Sequence, residues 1–275
     1  MIISDEYKFC FIHIPKCAGS TVRDQLKQYD DRVFLCHDNY GELPGIGRFH
    51  SWHIPLFILR EHFPEHYQKI AEYESYALLR NPHARFSSSV FQYFKEFRSS
   101  PLYALPKNKA KKEVYEIIRV LREKEEENIS FLPYEYVHFQ RQVDYIYDQG
   151  ERVIDNIYTI NDVEELLADI HRKIGGHMLP DGEEAVRKIN QSIAYRNSAI
   201  RIFLEVIKPF AGPAWRSLVP VNARIRIKES LVIPENKRTD WIFDDGMVID
   251  FVERYYREDI KMVKNIERSK RRKES

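Results

Sequence analysis

Residues 8–14, KFCFIHI, form an uninterrupted β-branched and aromatic run that stops at Pro15, and Gly19-Ser20-Thr21 follow shortly after. A short apolar run of this kind suits a strand buried on both faces. Past the glycine, Val22, Leu26 and Tyr29 share one helical face. Strand, tight loop and helix form the opening unit of a parallel α/β sheet. In such a loop the backbone N–H groups and the helix N-terminus converge on a single anion. Ser20 and Thr21 add hydroxyl donors, and Lys16 adds a full positive charge that can follow an oxygen as negative charge develops. Pro15, Lys16, Cys17, Ala18, Gly19, Ser20 and Thr21 therefore read as a phosphate cradle. The cradle is not a Walker A loop, which needs its lysine directly before the Ser or Thr.

The same alternation continues downstream. Residues 32–36 (RVFLC) and 73–79 (YESYALL) read as strands, residues 37–53 as a loop, and residues 55–66 as a helix. Asn81-Pro82 ends the 73–79 strand and opens a helix with Phe86, Val90 and Phe94 at helical spacing. A charged helix over 111–128 turns Val114, Ile117, Ile118 and Leu121 inward. Residues 153–160 read as a strand. Asp162 then caps a helix that buries Val163, Leu166, Leu167 and Ile170 and ends near Gly175. Residues 244–263 form the last amphipathic helix. The expected fold is α/β: a single P-loop-like domain over residues 1–263, with a central, mainly parallel sheet flanked by helices. Residues 264–275 are expected to form a flexible basic tail.

Composition narrows the partners. Formal net charge is +1, so no global field draws the chain to nucleic acid or lipid. Cys10, Cys17 and Cys36 are too few for a disulfide framework and match no zinc spacing. Reduced thiols, no apolar leader and an initial Met point to a cytoplasmic protein. The apolar stretch 200–221 carries charges and is broken by Pro209 and Pro213, which argues against a membrane span.

A second motif sharpens the first. Arg80-Asn81-Pro82-His83-Ala84-Arg85-Phe86-Ser87-Ser88 leaves a strand and enters a helix. An arginine fork at Arg80 with a hydroxyl at Ser88 suits a terminal phosphate, and Arg85 reads as a brace. The two motifs together resemble the sulfotransferases that use 3′-phosphoadenosine 5′-phosphosulfate. The resemblance is to the carbohydrate branch (the heparan sulfate 2-O-sulfotransferase-like group) and its bacterial relatives. The family's first motif reads approximately P-K-[TV]-[AG]-[GS]-[ST]-[ST], and residues 15–21 match it with Cys17 in place of Thr or Val. Its second motif reads approximately R-[ND]-P-x-x-R-x-x-S, which Arg80, Asn81, Pro82, Arg85 and Ser88 match fully. Val90 stands where the family usually has an aromatic. Weaker likeness covers His53-Ile54-Pro55 (with Trp52 for Gly), residues 138–142, residues 156–163 (with Asn161 for Glu), Pro220-Val221-Asn222 and residues 252–260.

The resemblance implies a metal-free donor site that leaves 3′,5′-ADP as product. Lys16 and the 17–21 backbone would hold the 5′-phosphate, and Arg80 with Ser88 the 3′-phosphate. A hydroxyl acceptor, a glycan or glycolipid, needs a base. His53 is the first choice and His50 the second, because a histidine has the right ordinary pKa. His13 reads as packing and Cys17 as a small residue that fits. Phe49, Trp52, Phe57, Tyr93 and Phe94 are candidates to stack on sugar rings, and the lysines of 107–112 to meet an acidic glycan. The rival readings are a P-loop-like nucleotide kinase and a non-catalytic relative that keeps the nucleotide site.

Overall fold

The computed structural model describes residues 1–31, 40–175, 193–195, 232–234 and 236–274. The protein is α/β, with a four-stranded, mostly parallel mixed sheet flanked by helices. Ile2–Ser4 (β1) runs antiparallel to Phe9–Ile12 (β2) and closes one edge. The hairpin strands Tyr40–Leu43 (β3) and Gly47–His50 (β4) lie outside this sheet. Glu74–Leu79 (β5) pairs parallel with β2, setting Ile12 opposite Ala77. Tyr147–Asp148 (β6) and Glu151–Arg152 (β7) form a short ribbon, and Asn156–Thr159 (β8) completes the sheet parallel to β5. Every residue of β2 is at most 1% exposed, as expected of a strand covered on both faces. Strands β2 and β5 are neighbours and parallel, so the loops after Ile12 and Leu79 leave the same edge of the sheet.

Among the described residues the α-helices are Gly19–Leu26 (α1), Leu56–His62 (α2), Pro64–Glu72 (α3), Pro82–Phe97 (α4), Lys107–Glu126 (α5), Val163–Lys173 (α6), Asn236–Phe243 (α7), Gly246–Tyr255 (α8) and Arg257–Glu274 (α9). One hydrophobic cluster forms around the sheet with Val22, Leu26, Leu59 and Ile70. A second joins Phe86, Val90 and Phe94 of α4 to Val114, Ile118 and Leu121 of α5 and to Phe251 and Val252 of α8.

Several local expectations are corrected. Residues 37–53 are not all loop: the hairpin β3–β4 turns through Gly45 and Gly47, both left-handed at φ 78° and 79°. Phe49 is the one buried residue of its two strands, so no buried alternation marks them. The single helix over 55–66 is two, because Pro64 lacks the N–H to continue α2 and instead opens α3. The 244–263 helix also divides, at Tyr256, whose hydroxyl donates to Phe139 O at 2.8 Å. Asp162 precedes α6 without capping it; its carboxylate turns back to Thr159 Oγ1 at 2.6 Å. The boundary at 264 falls inside α9, and the basic stretch is that helix's end, with Lys270 reaching Asp162 and Glu165. Residues 32–36 and 200–221 lie outside the described residues. Among the described residues no helix is long and apolar enough to cross a membrane.

Candidate functional site

A cleft of about 1150 Å³ opens where the β2 and β5 loops leave the sheet. Lys16, Ala18, Gly19, Ser20, Thr21, Arg80 and Ser88 line it together with His50 and His53. Two motifs more than sixty residues apart thus share one wall with both candidate bases. Pro15 and Cys17 of the first motif do not line it. Cys17 is buried, its thiol donates to Gln142 Oε1 at 3.2 Å, and burial pushes its pKa up to about 12. A thiol held protonated in this way is a packing group, not a nucleophile.

The loop owes its shape to its backbone. Lys16 and Ala18 both adopt left-handed conformations, at φ 64° and 57°. Alternating handedness turns successive N–H groups inward and makes an anion-binding concavity. No side chain caps α1. The N–H groups of Ala18, Gly19 and Ser20 have no acceptor among the described residues. Gly19 is required for close approach, because a Cβ there would overlap the His13 ring.

Two of the cations lining the cleft, Lys16 and Arg80, are desolvated and lack a carboxylate partner among the described residues. Lys16 Nζ donates to the neutral amide of Gln92 at 2.9 Å, and burial lowers its pKa to about 8, with Glu96 opposing. Arg80 Nη1 donates to Lys16 O at 3.2 Å, its Nε is buried without a partner, and burial lowers its pKa as well. A desolvated cation with no counter-charge is costly unless an anion completes it. Arg85 points the other way. It is 1% exposed, donates to Gln140 O and lies over the Tyr256 ring, so it braces the turn from inside.

The histidines form a contiguous wall. The His53 ring is 4.6 Å from His13, 4.8 Å from His50 and 5.6 Å from His138, centroid to centroid. Burial lowers all four pKa values, to about 4 for His50 and about 3 for His138, so all are neutral at pH 7. Their hydrogen bonds assign two of the tautomers. His53 Nδ1 is 3.2 Å from His13 O, which can only accept, so Nδ1 carries the proton and Nε2 is a free base. His50 Nδ1 instead accepts from Trp52 N–H at 3.2 Å, which leaves His50 an Nε2–H donor. The geometry therefore separates the two candidates: His53 can take a proton and His50 can give a hydrogen bond. Tyr145 donates to His53 O at 3.2 Å and fixes that residue from behind.

Sequence reasoning missed part of this wall. His13 is not merely packing; it lines the cleft, positions His53 through its carbonyl, and stacks on Trp52, which also lies under Arg23. His138 was visible only as part of a weakly similar segment. Of the aromatic candidates, Trp52 and Phe94 line the cleft, whereas Phe49 is buried against Phe63 and Tyr93 packs on Tyr136. Phe57 packs against the sheet core. Lys107 lies over Trp241 and Lys111 pairs with Asp245 at 2.7 Å, so these lysines do not line the cleft. Asn161 does line it, and Glu164 brings a carboxylate to the same wall.

The depressed Lys16 pKa sets a pH dependence. Only the protonated amine attracts an anion, and a bound anion raises its pKa. Affinity for a phosphate anion held at Lys16 should therefore fall as pH rises through about 8, by up to ~10-fold per unit, with proton uptake on binding. Isothermal titration between pH 7 and 10 measures this. Lys16→Arg should remove the limb, and an unchanged limb would assign it to another group.

No family model matches the chain, and it matches no curated protein and no solved structure.

Proposed function

We propose that the protein is a sulfotransferase on a P-loop-like framework, moving a sulfuryl group from 3′-phosphoadenosine 5′-phosphosulfate to a hydroxyl, with a carbohydrate as acceptor. One observation carries the reading. Lys16 and Arg80, both desolvated and without a carboxylate, face one cleft at the C-terminal edge of adjacent parallel strands, where α/β folds bind ligands. A desolvated lysine and a desolvated arginine, carried on two different loops, suit a nucleotide that bears more than one phosphate.

In this reading the Ala18, Gly19 and Ser20 N–H groups and Lys16 Nζ hold the 5′-phosphate, while Arg80 and Ser88 hold the 3′-phosphate. As the acceptor oxygen bonds to sulfur, the bridging S–O bond breaks and its electron pair goes to the 5′-phosphate oxygen. Lys16 and the N–H groups stabilise that developing charge. His53 Nε2 takes the acceptor's proton, and the His50 Nε2–H can hold the acceptor in place. His53→Ala should lower turnover by ~10²–10⁴-fold and leave 3′,5′-ADP affinity unchanged. Full turnover in that variant would remove His53 as the base.

The test of the whole reading is a titration of 3′,5′-ADP, without metal, on wild type and Arg80→Ala, with ATP–Mg²⁺ as the competitor. Metal-independent binding that weakens by ~10–100-fold in the variant is expected, the loss of one charge-assisted contact. Preference for ATP–Mg²⁺ would move the nucleotide kinase reading to the front. Binding of 3′,5′-ADP without transfer to any hydroxyl acceptor would favour a non-catalytic nucleotide-binding protein.

A further inference from the structure

Gln142 is fully buried behind the cleft and takes no part in the chemistry above. Its side-chain Oε1 accepts from Arg80 N–H at 2.9 Å and from the Cys17 thiol at 3.2 Å. Its Nε2 donates to Arg80 O at 3.0 Å. Its own N–H is held by Asp259 Oδ2 at 2.9 Å, and the Val143 N–H by Oδ1 at the same distance.

The reason for this arrangement lies in the sheet. The β5–β8 ladder ends at Leu79 and Thr159, so Arg80 leaves the sheet with a buried N–H and C=O to satisfy. A primary amide carries a donor and an acceptor at peptide spacing and completes both. The second lone pair of the same oxygen receives Cys17, the neighbour of Lys16. A single oxygen atom therefore touches both loops, and Asp259 of α9 fixes the backbone that carries it.

Resting on the anion-site reading above, we infer that Gln142 is a positioning residue that sets Lys16 and Arg80 at one spacing, so that they act as a pair on a ligand with two phosphates. The distinguishing readout is selectivity between 3′,5′-ADP, which needs both loops, and adenosine 5′-monophosphate, which needs one. Gln142→Leu keeps the buried volume and removes the amide. Gln142→Glu keeps both acceptor contacts and sets a carboxylate oxygen against Arg80 O.

In both variants the preference for the bisphosphate should shrink by about 10-fold or more, the size of coupling seen between groups in one network. Monophosphate affinity should change little. Equal weakening of both ligands, or no change, would overturn the inference and leave Gln142 a purely structural group. A second measurement does not depend on nucleotide. Alkylation of Cys17, located by peptide mapping below the unfolding transition, should quicken in Gln142→Leu. An unchanged rate would overturn the interlock. If the wild type ignores 3′,5′-ADP, the proposed function falls, and the thiol rate alone decides the interlock.

Discussion

Lys16→Ala is expected to lower sulfuryl transfer by ~10²–10³-fold at saturating donor, the effect of removing one preorganised group from a developing oxyanion. Binding should weaken too, because Lys16 is a desolvated cation lining the cleft and its Nζ is parked only on the Gln92 amide. The two effects should differ in size. The bound phosphate keeps the Ala18, Gly19 and Ser20 N–H groups, so affinity for 3′,5′-ADP should fall by only ~10–100-fold. Lys16→Arg keeps the charge but places a planar fork where a compact ammonium sits, and should restore binding more than turnover. Steady-state transfer and equilibrium titration on both variants check this. Weakened binding with turnover at saturating donor unchanged would mean that Lys16 binds without acting on the transition state.

The other large effect is on stability. Arg85→Ala should cost ~3–5 kcal/mol, the usual result of truncating a large, fully buried side chain and losing its hydrogen bond. Arg85 is fully enclosed, donates to Gln140 O and lies over Tyr256. Asp259 is also buried; burial pushes its pKa up, and Arg85 is the largest opposing influence. Removing the guanidinium leaves Gln140 O without this donor. Urea unfolding followed by circular dichroism measures the loss, and a cost under ~1 kcal/mol would mean that Arg85 does not brace the turn.

The parts of the site written in contiguous residues were legible. The strand before Pro15, the small residues before α1, and the Arg80–Ser88 spacing each place their groups by local chain geometry, and the cleft contains them. The contacts that join these segments were not legible. Gln142 lies 62 positions from Arg80, and no periodicity marks a residue whose partners are two backbone groups and a thiol. His13 was hidden for a different reason. Every residue of β2 is buried, so alternation cannot say which side chain beyond its end faces a cavity. The hairpin β3–β4 was missed because its strands carry no hydrophobic pattern, only the two glycines of its turn. The breaks at Phe63 and Tyr256 follow from a proline that was present in the sequence and a tertiary hydrogen bond that was not.

Holding Lys16 and Ala18 left-handed without glycine costs the fold about 1–2 kcal/mol per residue. A glycine loop would roam through many shapes and surrender that freedom on meeting its ligand. Here the freedom is already gone before any ligand arrives, so association carries a smaller entropic penalty. Ala18→Gly should accordingly make the chain harder to unfold and the anion easier to lose. The loop gives up robustness of the resting protein in exchange for a grip that needs no rearrangement.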